Sequence, residues 1–243
     1  MLEGLYSTAA GMAAQTEQLS AIGNDLANLS TSGYHSERIA FSDLLYNPVE
    51  ESGAVTTAGA GASASAIGRS ATQGAVRITG NPLDVAIAGH GYLQVTLANG
   101  KAGLTRNGTL AIGAGGMLTD AKGNLLNPPI QVPTGVSESQ LKIAADGTVT
   151  ARGQTLGRIA LVNVPSPAHL IASEGGMLSA GAESGQPVAA TGAKLQQGAL
   201  EESNVDLAGE MTLMVTTQRA YQLDASALQN ESQMMSIANQ LRA

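Results

Sequence analysis

Residues 2–30, LEGLYSTAAGMAAQTEQLSAIGNDLANLS, decide how the rest of the chain is read. Leu2, Leu5, Ala9, Met12, Thr16, Leu19, Gly23 and Leu26 fall at alternating steps of three and four residues, the spacing of a heptad seam on one helix face. Ile22 and Leu29 widen the stripe. A helix of about 28 residues is about 42 Å long. It should stop near Asn28-Leu29-Ser30-Thr31-Ser32-Gly33, where polar turn formers lead to a Gly able to take a positive φ. The far end of the chain repeats the pattern. In residues 206–242, Leu207, Met211, Met214, Gln218, Tyr221, Ala225, Leu228, Ser232 and Met235 trace a second seam, with Leu213, Ala220, Ala227, Met234, Ile237 and Leu241 alongside. Ser203-Asn204-Val205-Asp206 supplies N-cap candidates ahead of it. That much apolar width exceeds the seam of a two-stranded coil and implies more than one neighbour. Striped helices at the two ends of a 243-residue chain imply that they bury those faces on each other or on copies of themselves, which points to assembly before it points to catalysis.

Working inward, residues 35–50 are mixed, with Phe41, Leu44, Leu45 and Tyr46 as an apolar cluster before Pro48. Residues 52–68 are nearly all Gly, Ala, Ser and Thr, which reads as a flexible linker in preference to an ordered extended segment. From Thr72 to about Leu195 the period changes to that of strands. Leu83, Val85 and Ile87 alternate with Asp84, Ala86 and Ala88; Leu93, Val95 and Leu97 alternate with Gln94 and Thr96. Ile159, Leu161 and Asn163 point one way, and Ala160, Val162 and Val164 the other. Turn signals recur at Asn99-Gly100, Asn107-Gly108, Lys122-Gly123-Asn124 and Asp146-Gly147, so antiparallel hairpins in a barrel or sandwich are expected. The expected fold is α+β. Residues 1–34 and 203–243 form a terminal helical, coiled-coil-like domain, 35–71 a linker or extended segment, and 72–202 a central, mostly antiparallel β domain.

Composition narrows the function. Aromatics make up only 2% of the chain, so any core is built from Ala, Val, Leu, Ile and Met. Association then rests on many modest contacts and few bulky anchors. The net charge is −7, with no basic run interleaved with aromatics, which argues against a nucleic-acid partner. The absence of Cys removes disulfides, thiolate metal sites and Cys nucleophiles. The N-terminus lacks a basic region followed by an apolar run, so no cleaved secretory leader is expected. No stretch of 18 apolar residues predicts a membrane span.

Residues for catalysis are equally scarce. His35, His90 and His169 stand in unrelated contexts without metal-ligand spacing, and each reads as a plain surface histidine. Gly89-His90-Gly91-Tyr92-Leu93-Gln94 opens like a dinucleotide fingerprint but lacks its third Gly and a following helix. Asp120, Asp146 and Asp206 sit at turns and a cap, where hydrogen bonding to local backbone explains them. No catalytic, cofactor-binding or metal residue is assigned.

Ile22-Gly23-Asn24-Asp25-Leu26-Ala27-Asn28-Leu29-Ser30-Thr31-Ser32-Gly33-Tyr34 resembles the N-terminal signature of bacterial flagellar rod and hook proteins. Thr72-Gln73-Gly74 and the run Thr79-Gly80-Asn81-Pro82-Leu83-Asp84-Val85-Ala86-Ile87-Ala88-Gly89-His90-Gly91-Tyr92 resemble the family's central motif, continued by Leu104-Thr105-Arg106-Asn107-Gly108 and Gly116-Met117-Leu118-Thr119. Gln197-Gly198-Ala199-Leu200-Glu201-Glu202-Ser203-Asn204-Val205 and Thr217-Gln218-Arg219-Ala220-Tyr221 are similar to its C-terminal signature. Asp25, Ser32 and His35 stand where the pattern usually has Asn, Pro and Lys, and Tyr92-Leu93 where it has a Phe pair. Ser42-Asp43-Leu44-Leu45-Tyr46 looks most like the family's distal-rod members.

The resemblance implies a structural subunit of the basal-body rod, polymerising into a hollow axial drive shaft. It implies as partners further copies and other rod or hook subunits, together with the flagellar export apparatus. It implies residence in the basal body, within the cell envelope and periplasm, after export without a cleaved leader. The assembly contacts expected are Leu2, Leu5, Met12, Leu19, Ile22 and Leu26 against Leu207, Met211, Met214, Tyr221, Leu228 and Met235. Asn24 and Asn28 should satisfy backbone groups near the first helix end, and Gly33 should turn the chain. Tyr34, Asn81, Pro82, Leu83, Asp84, Gln218 and Arg219 complete the motif set. A hook or other flagellar axial protein, or a secreted β-rich adhesin, are the rival readings.

Overall fold

The computed structural model describes residues 2–44, 47–51, 54–173 and 176–242. Over these the chain is α+β, with a long helix near each end and mostly antiparallel sheets between them. Leu45 and Tyr46 of the expected apolar cluster, and the side chain of Leu2, lie outside the described residues. The chain divides into two compact units, one holding Met1–Ala27, Glu37–Ile67 and Asp206–Ala243, the other Asn28–Ser36 and Gly68–Val205.

In the first unit α1 spans Leu2–Ala27. Past it, Thr31 donates its amide to the Asn28 carbonyl and Tyr34 to the Thr31 carbonyl, so the helix unwinds through two turns. Strand β1 (Glu37–Asp43) pairs with β4 (Ala62–Arg69), and β2 (Asn47–Glu51) and β3 (Ala54–Ala58) form an antiparallel hairpin between them. The Gly/Ala/Ser/Thr tract whose composition reads as a linker therefore carries β3 and β4. At Gly61, between these strands, a Cβ would lie 2.9 Å from the Ser7 carbonyl oxygen and 3.0 Å from the Ala10 Cβ, so a side chain there would crowd α1. Helix α2 spans Leu207–Arg242. Asp206 caps it, its side chain accepting the Ala208 amide at 3.2 Å and its carbonyl the Glu210 amide at 2.9 Å.

The second unit contains β5 (Val76–Ile78), β6 (Val85–Ala88), β7 (Tyr92–Thr96), β8 (Ala102–Thr105), β9 (Leu110–Ile112), β10 (Leu118–Asp120) and β11 (Leu125–Leu126). It continues with β12 (Leu141–Ile143), β13 (Thr148–Ala151), β14 (Gln154–Arg158), β15 (Leu161–Asn163), β16 (Ile171–Ala172), β17 (Leu178–Ser179), β18 (Val188–Ala189), β19 (Lys194–Gln197) and β20 (Ala199–Glu201). Strand β7 is central, pairing along one edge with β8 and along the other with β11 and then β15. The sheet extends from there through β17 and β16 on one side and β10 and β9 on the other. A β12-β13-β14 meander and the pairs β6–β19 and β5–β20 enclose the core, in which Leu83, Val85, Ile87, Leu93, Leu118, Leu126, Ile130, Leu141, Val149 and Leu195 meet.

Three of the four turn signals make hairpins. Asn99-Gly100 joins β7 to β8, Lys122-Gly123-Asn124 joins β10 to β11, and Asp146-Gly147 joins β12 to β13. Asp120 Oδ1 accepts the Lys122 and Asn124 amides, and Asp146 accepts the Thr148 amide and hydroxyl. Asn107-Gly108 does something else. It links β8 to β9, which do not pair, and Gly108 stands so near the Val85 carbonyl that a side chain has no room. Strand β15 likewise departs from a simple inside and outside. Ile159 and Leu161 face the main core, while Val162 and Val164 close a smaller one with Leu104 and Leu170.

Candidate assembly site

Helices α1 and α2 run antiparallel within the first unit. Gln15 Nε2 donates to Asp224 Oδ2 at 2.8 Å, and a Cβ on Gly4 would lie 2.5 Å from Glu231 Oε1. The buried residues of α1 are mostly small: Ala14, Ala21, Ile22 and Asp25. On α2 the buried position is Thr217, its hydroxyl donating to the Leu213 carbonyl at 2.8 Å.

The stripes read from the sequence sit beside this seam and are only partly used by it. Ile22 is buried, 2% exposed, while Leu5, Met12, Leu19 and Leu26 are half-buried. Met214, Leu228 and Met235 are half-buried; Leu207, Met211 and Tyr221 are exposed, as are Val215, Leu223, Met234, Ile237 and Leu241. Leu5, Tyr6 and Ala9 of α1 and Leu228, Ser232 and Met235 of α2 line a groove of about 750 Å³. Its whole lining, which includes Gln229 and Gln233, carries no charge. Single exposed apolar residues mean little, but contiguous ones mark contact surfaces.

The motif residues converge elsewhere, inside the second unit, on one carboxylate. Glu201 of β20 is fully buried. Its Oε2 accepts Arg106 Nε at 2.9 Å and lies 2.8 Å from Arg106 Nη2; its Oε1 accepts His35 Nε2 at 2.9 Å and the Gly74 amide at 3.1 Å. Arg106 spends its other donors on the carbonyls of Gly91 and Gly89, at 3.0 and 3.1 Å. The other ring nitrogen of His35 lies 2.7 Å from the Ser70 carbonyl, so the ring is held between two oxygen atoms. Burial pushes the Glu201 carboxyl up, but the hydrogen bonds from His35 and Arg106, the guanidinium charge and the Gly74 amide outweigh it and hold the group below the usual carboxylate range. His35 is therefore no surface histidine, while His90 and His169 are exposed.

Neighbouring bonds tie the same chain segments together. Asn204 accepts the Ser36 amide and donates to the Thr72 carbonyl, at 2.8 and 2.7 Å. Arg69 donates to the His35 carbonyl and lies over the Tyr34 ring, 4.9 Å from its centre. Gly33 turns the chain at φ +69°, with its amide on the Glu201 carbonyl, and leaves no room for a Cβ beside Arg106 and Asn107. Asn81 accepts the Leu83 amide and donates to Asp84, shaping the turn through Pro82 that feeds β6 into the core. Asn28 accepts the Thr31 hydroxyl, Asn24 is exposed in the last turns of α1, and Gln218 and Arg219 are exposed on α2.

Single-sequence reasoning quoted Glu201 and Arg106 inside motifs without a role. The available signal was an acid directly after Ala199-Leu200 and a base after Leu104-Thr105; nothing local joins two charges 95 residues apart. Among the described residues no group of three or more His, Cys, Asp or Glu is placed to hold a metal ion, and no helix is long and apolar enough to cross a membrane.

A helix pair with apolar side chains turned to solvent in one unit, and a β unit whose buried charges clamp its own segments, define a structural subunit made to associate. Residues 86–151 match the family model described as the flagellar hook protein FlgE/F/G D1 domain, and residues 196–241 that of the flagellar basal body rod FlgEFG protein C-terminal. The chain is 31% identical to flagellar basal-body rod protein FlgG of Caulobacter vibrioides, over all of both chains. It is 33% identical to FlgG of Agrobacterium fabrum over 98% of each, and 32% identical to FlgF of Salmonella typhimurium over 96% of each. The chain belongs to the flagellar basal-body rod protein family; it is a structural subunit of that rod and not an enzyme.

Proposed function

We propose that this chain polymerises with copies of itself and with other rod or hook subunits into the hollow drive shaft of the basal body, at its distal part. The single observation that supports this reading is the apolar surface left open on α1 and α2 after they have met each other. In the polymer the terminal helices pack in a coiled-coil-like inner layer. Leu5, Met12, Leu19, Leu26, Leu207, Met211, Tyr221, Leu228 and Met235 make the contacts, with Leu2, Ile22 and Met214 completing the stripes. Isolated helices are marginal in water until tertiary contacts cover their apolar face. A subunit of this kind passes the flagellar export apparatus unfolded and orders its ends in the envelope when neighbours supply the missing surface. Repeated non-closing contacts then give a filament.

Leu19→Asp and Leu228→Asp each put a charge on this surface. Both variants should abolish motility and rod assembly while the β unit keeps its circular dichroism and amide protection. Cells that swim normally with either substitution would refute these contacts.

A further inference from the structure

The dipeptide Asn-Gly occurs twice, at Asn99-Gly100 and Asn107-Gly108, and the fold treats the two in opposite ways. Their side chains are held alike. Asn99 Oδ1 accepts the Lys101 amide at 2.9 Å, and Asn107 Oδ1 accepts the Thr109 amide at 3.0 Å. Each bond draws electrons from the side-chain carbonyl carbon. The glycines differ. Asn99 and Gly100 are exposed at the tip of the β7–β8 hairpin, and a Cβ on Gly100 would meet nothing within 4 Å. The Gly100 amide donates to the Leu97 carbonyl at 2.8 Å, a bond of the turn itself. Gly108 is buried against the Val85 carbonyl, and its own carbonyl accepts the Val85 amide at 3.0 Å. Val85 is fully buried in the main core, and Asn107 donates its amide to the hydroxyl of buried Thr105 at 3.0 Å.

An asparagine followed by glycine has a nucleophile next to it. Once hydroxide has taken the proton of the glycine amide, that nitrogen reaches the side-chain carbonyl carbon, because glycine has no Cβ to obstruct the approach. A new C–N bond closes a five-membered imide. The bond to the side-chain nitrogen breaks, and that nitrogen leaves as ammonia with a proton from water, which regenerates hydroxide. Water then opens the imide at either carbonyl, leaving aspartate or an isoaspartate whose backbone runs through the side chain. One water is consumed, one ammonia is released and one negative charge is gained. The ring closes only when the backbone rotates out of its turn, so the rate follows the open population.

We propose that Asn99 is a site of spontaneous deamidation in the folded chain, and that packing of Gly108 on β6 protects Asn107 from the same reaction. Gly100 has to break a turn bond at an exposed loop tip, where local opening costs little. Gly108 has to leave β6, which approaches unfolding of the core and leaves about one molecule in a thousand or fewer open. In the folded chain Asn99 therefore converts on the order of 100-fold or more faster than Asn107. The product alters a surface. Asn99 and Lys101 line a cavity of about 960 Å³ with Gln94, Ser173, Ser179 and Gln186, and among the described residues Lys101 is the one charged group in that lining. Conversion places a carboxylate in the same lining as this ammonium and cancels its formal charge. The reaction needs only the chain and water, so it is independent of the assembly reading.

The test incubates the full chain at pH 8, in buffer and across a urea series, and follows both sites by peptide mass spectrometry with fragmentation that separates aspartate from isoaspartate. In buffer the Asn99 peptide should take on the mass of the acid, in both isomers, while the Asn107 peptide stays intact. Above the unfolding transition both should convert at similar rates. Through the transition the Asn107 rate should follow the unfolded fraction, and the Asn99 rate should not. Asn99→Gln should remove the product. Val85→Ala, which loosens the packing around Gly108, should raise the Asn107 rate by about tenfold and leave that of Asn99 unchanged. An Asn99 as intact as Asn107 in buffer would overturn the proposal. So would an Asn107 that converts as fast as Asn99 in buffer, or an Asn99 rate that tracks the unfolded fraction through the urea series.

Discussion

Glu201 has both carboxylate oxygens committed, to Arg106 on one side and to His35 and the Gly74 amide on the other. Removing its charge leaves the Arg106 guanidinium buried beside the His35 ring with no anion to meet it. Breaking a buried pair from one side costs about 3–5 kcal/mol, so Glu201→Gln should destabilise the β unit by about that much in urea unfolding, with the helices as an internal reference. The pH dependence has a definite sign. The folded value is depressed, so the stabilisation is present above the ordinary carboxylate range and is lost as pH falls through the folded value. The variant should therefore flatten the acid limb of the β unit's stability profile; an unchanged limb would mean the pairing contributes nothing. His35 stands where the family pattern has Lys, and its Nε2 lies 2.9 Å from this carboxylate.

At the scale of elements, α2 depends on its first turn. Asp206 satisfies the Ala208 amide and places a negative charge at the helix start. Asp206→Ala should cost about 1 kcal/mol of helix stability, read as faster exchange of the amides following Leu207 with the β unit unaffected. Both helices and most hairpins were legible because their signals are local: a three-and-four apolar step, a cap, an Asn-Gly or Asp-Gly turn. What was not legible depended on who lies opposite. The tract at 52–68 has the composition of a linker, and only the fold shows it paired, with Gly61 close to Ser7 and Ala10. The helix stripes meet only in part where α1 lies along α2, beside Gly4, Gly11 and Asp25, whose small or polar side chains give no hydrophobic signal. Asn107-Gly108 has the sequence of a hairpin turn, and it is the Val85 carbonyl that requires the glycine.

Over the whole molecule, burial and charge are divided between the two units. The β unit owns the main apolar core, and its basic and acidic residues nearly balance, nine against eight. The helical unit holds the acid excess and much of the exposed large apolar surface, including Leu223 at 71% and Leu241 at 84%. A unit with few buried contacts opens at a free energy far below that of the core. In the dilute chain at neutral pH, amides of Leu2–Ala27 and Leu207–Arg242 should therefore exchange orders of magnitude faster than those of β6, β7 and β13. Polymerised rod should show protection at both ends of the chain with little change in the β unit. If residues 2–27 of the lone chain were instead as protected as Ile87 in β6, the apolar faces would already be fully served within one subunit, and the physical reason for the ends to order on assembly would be gone.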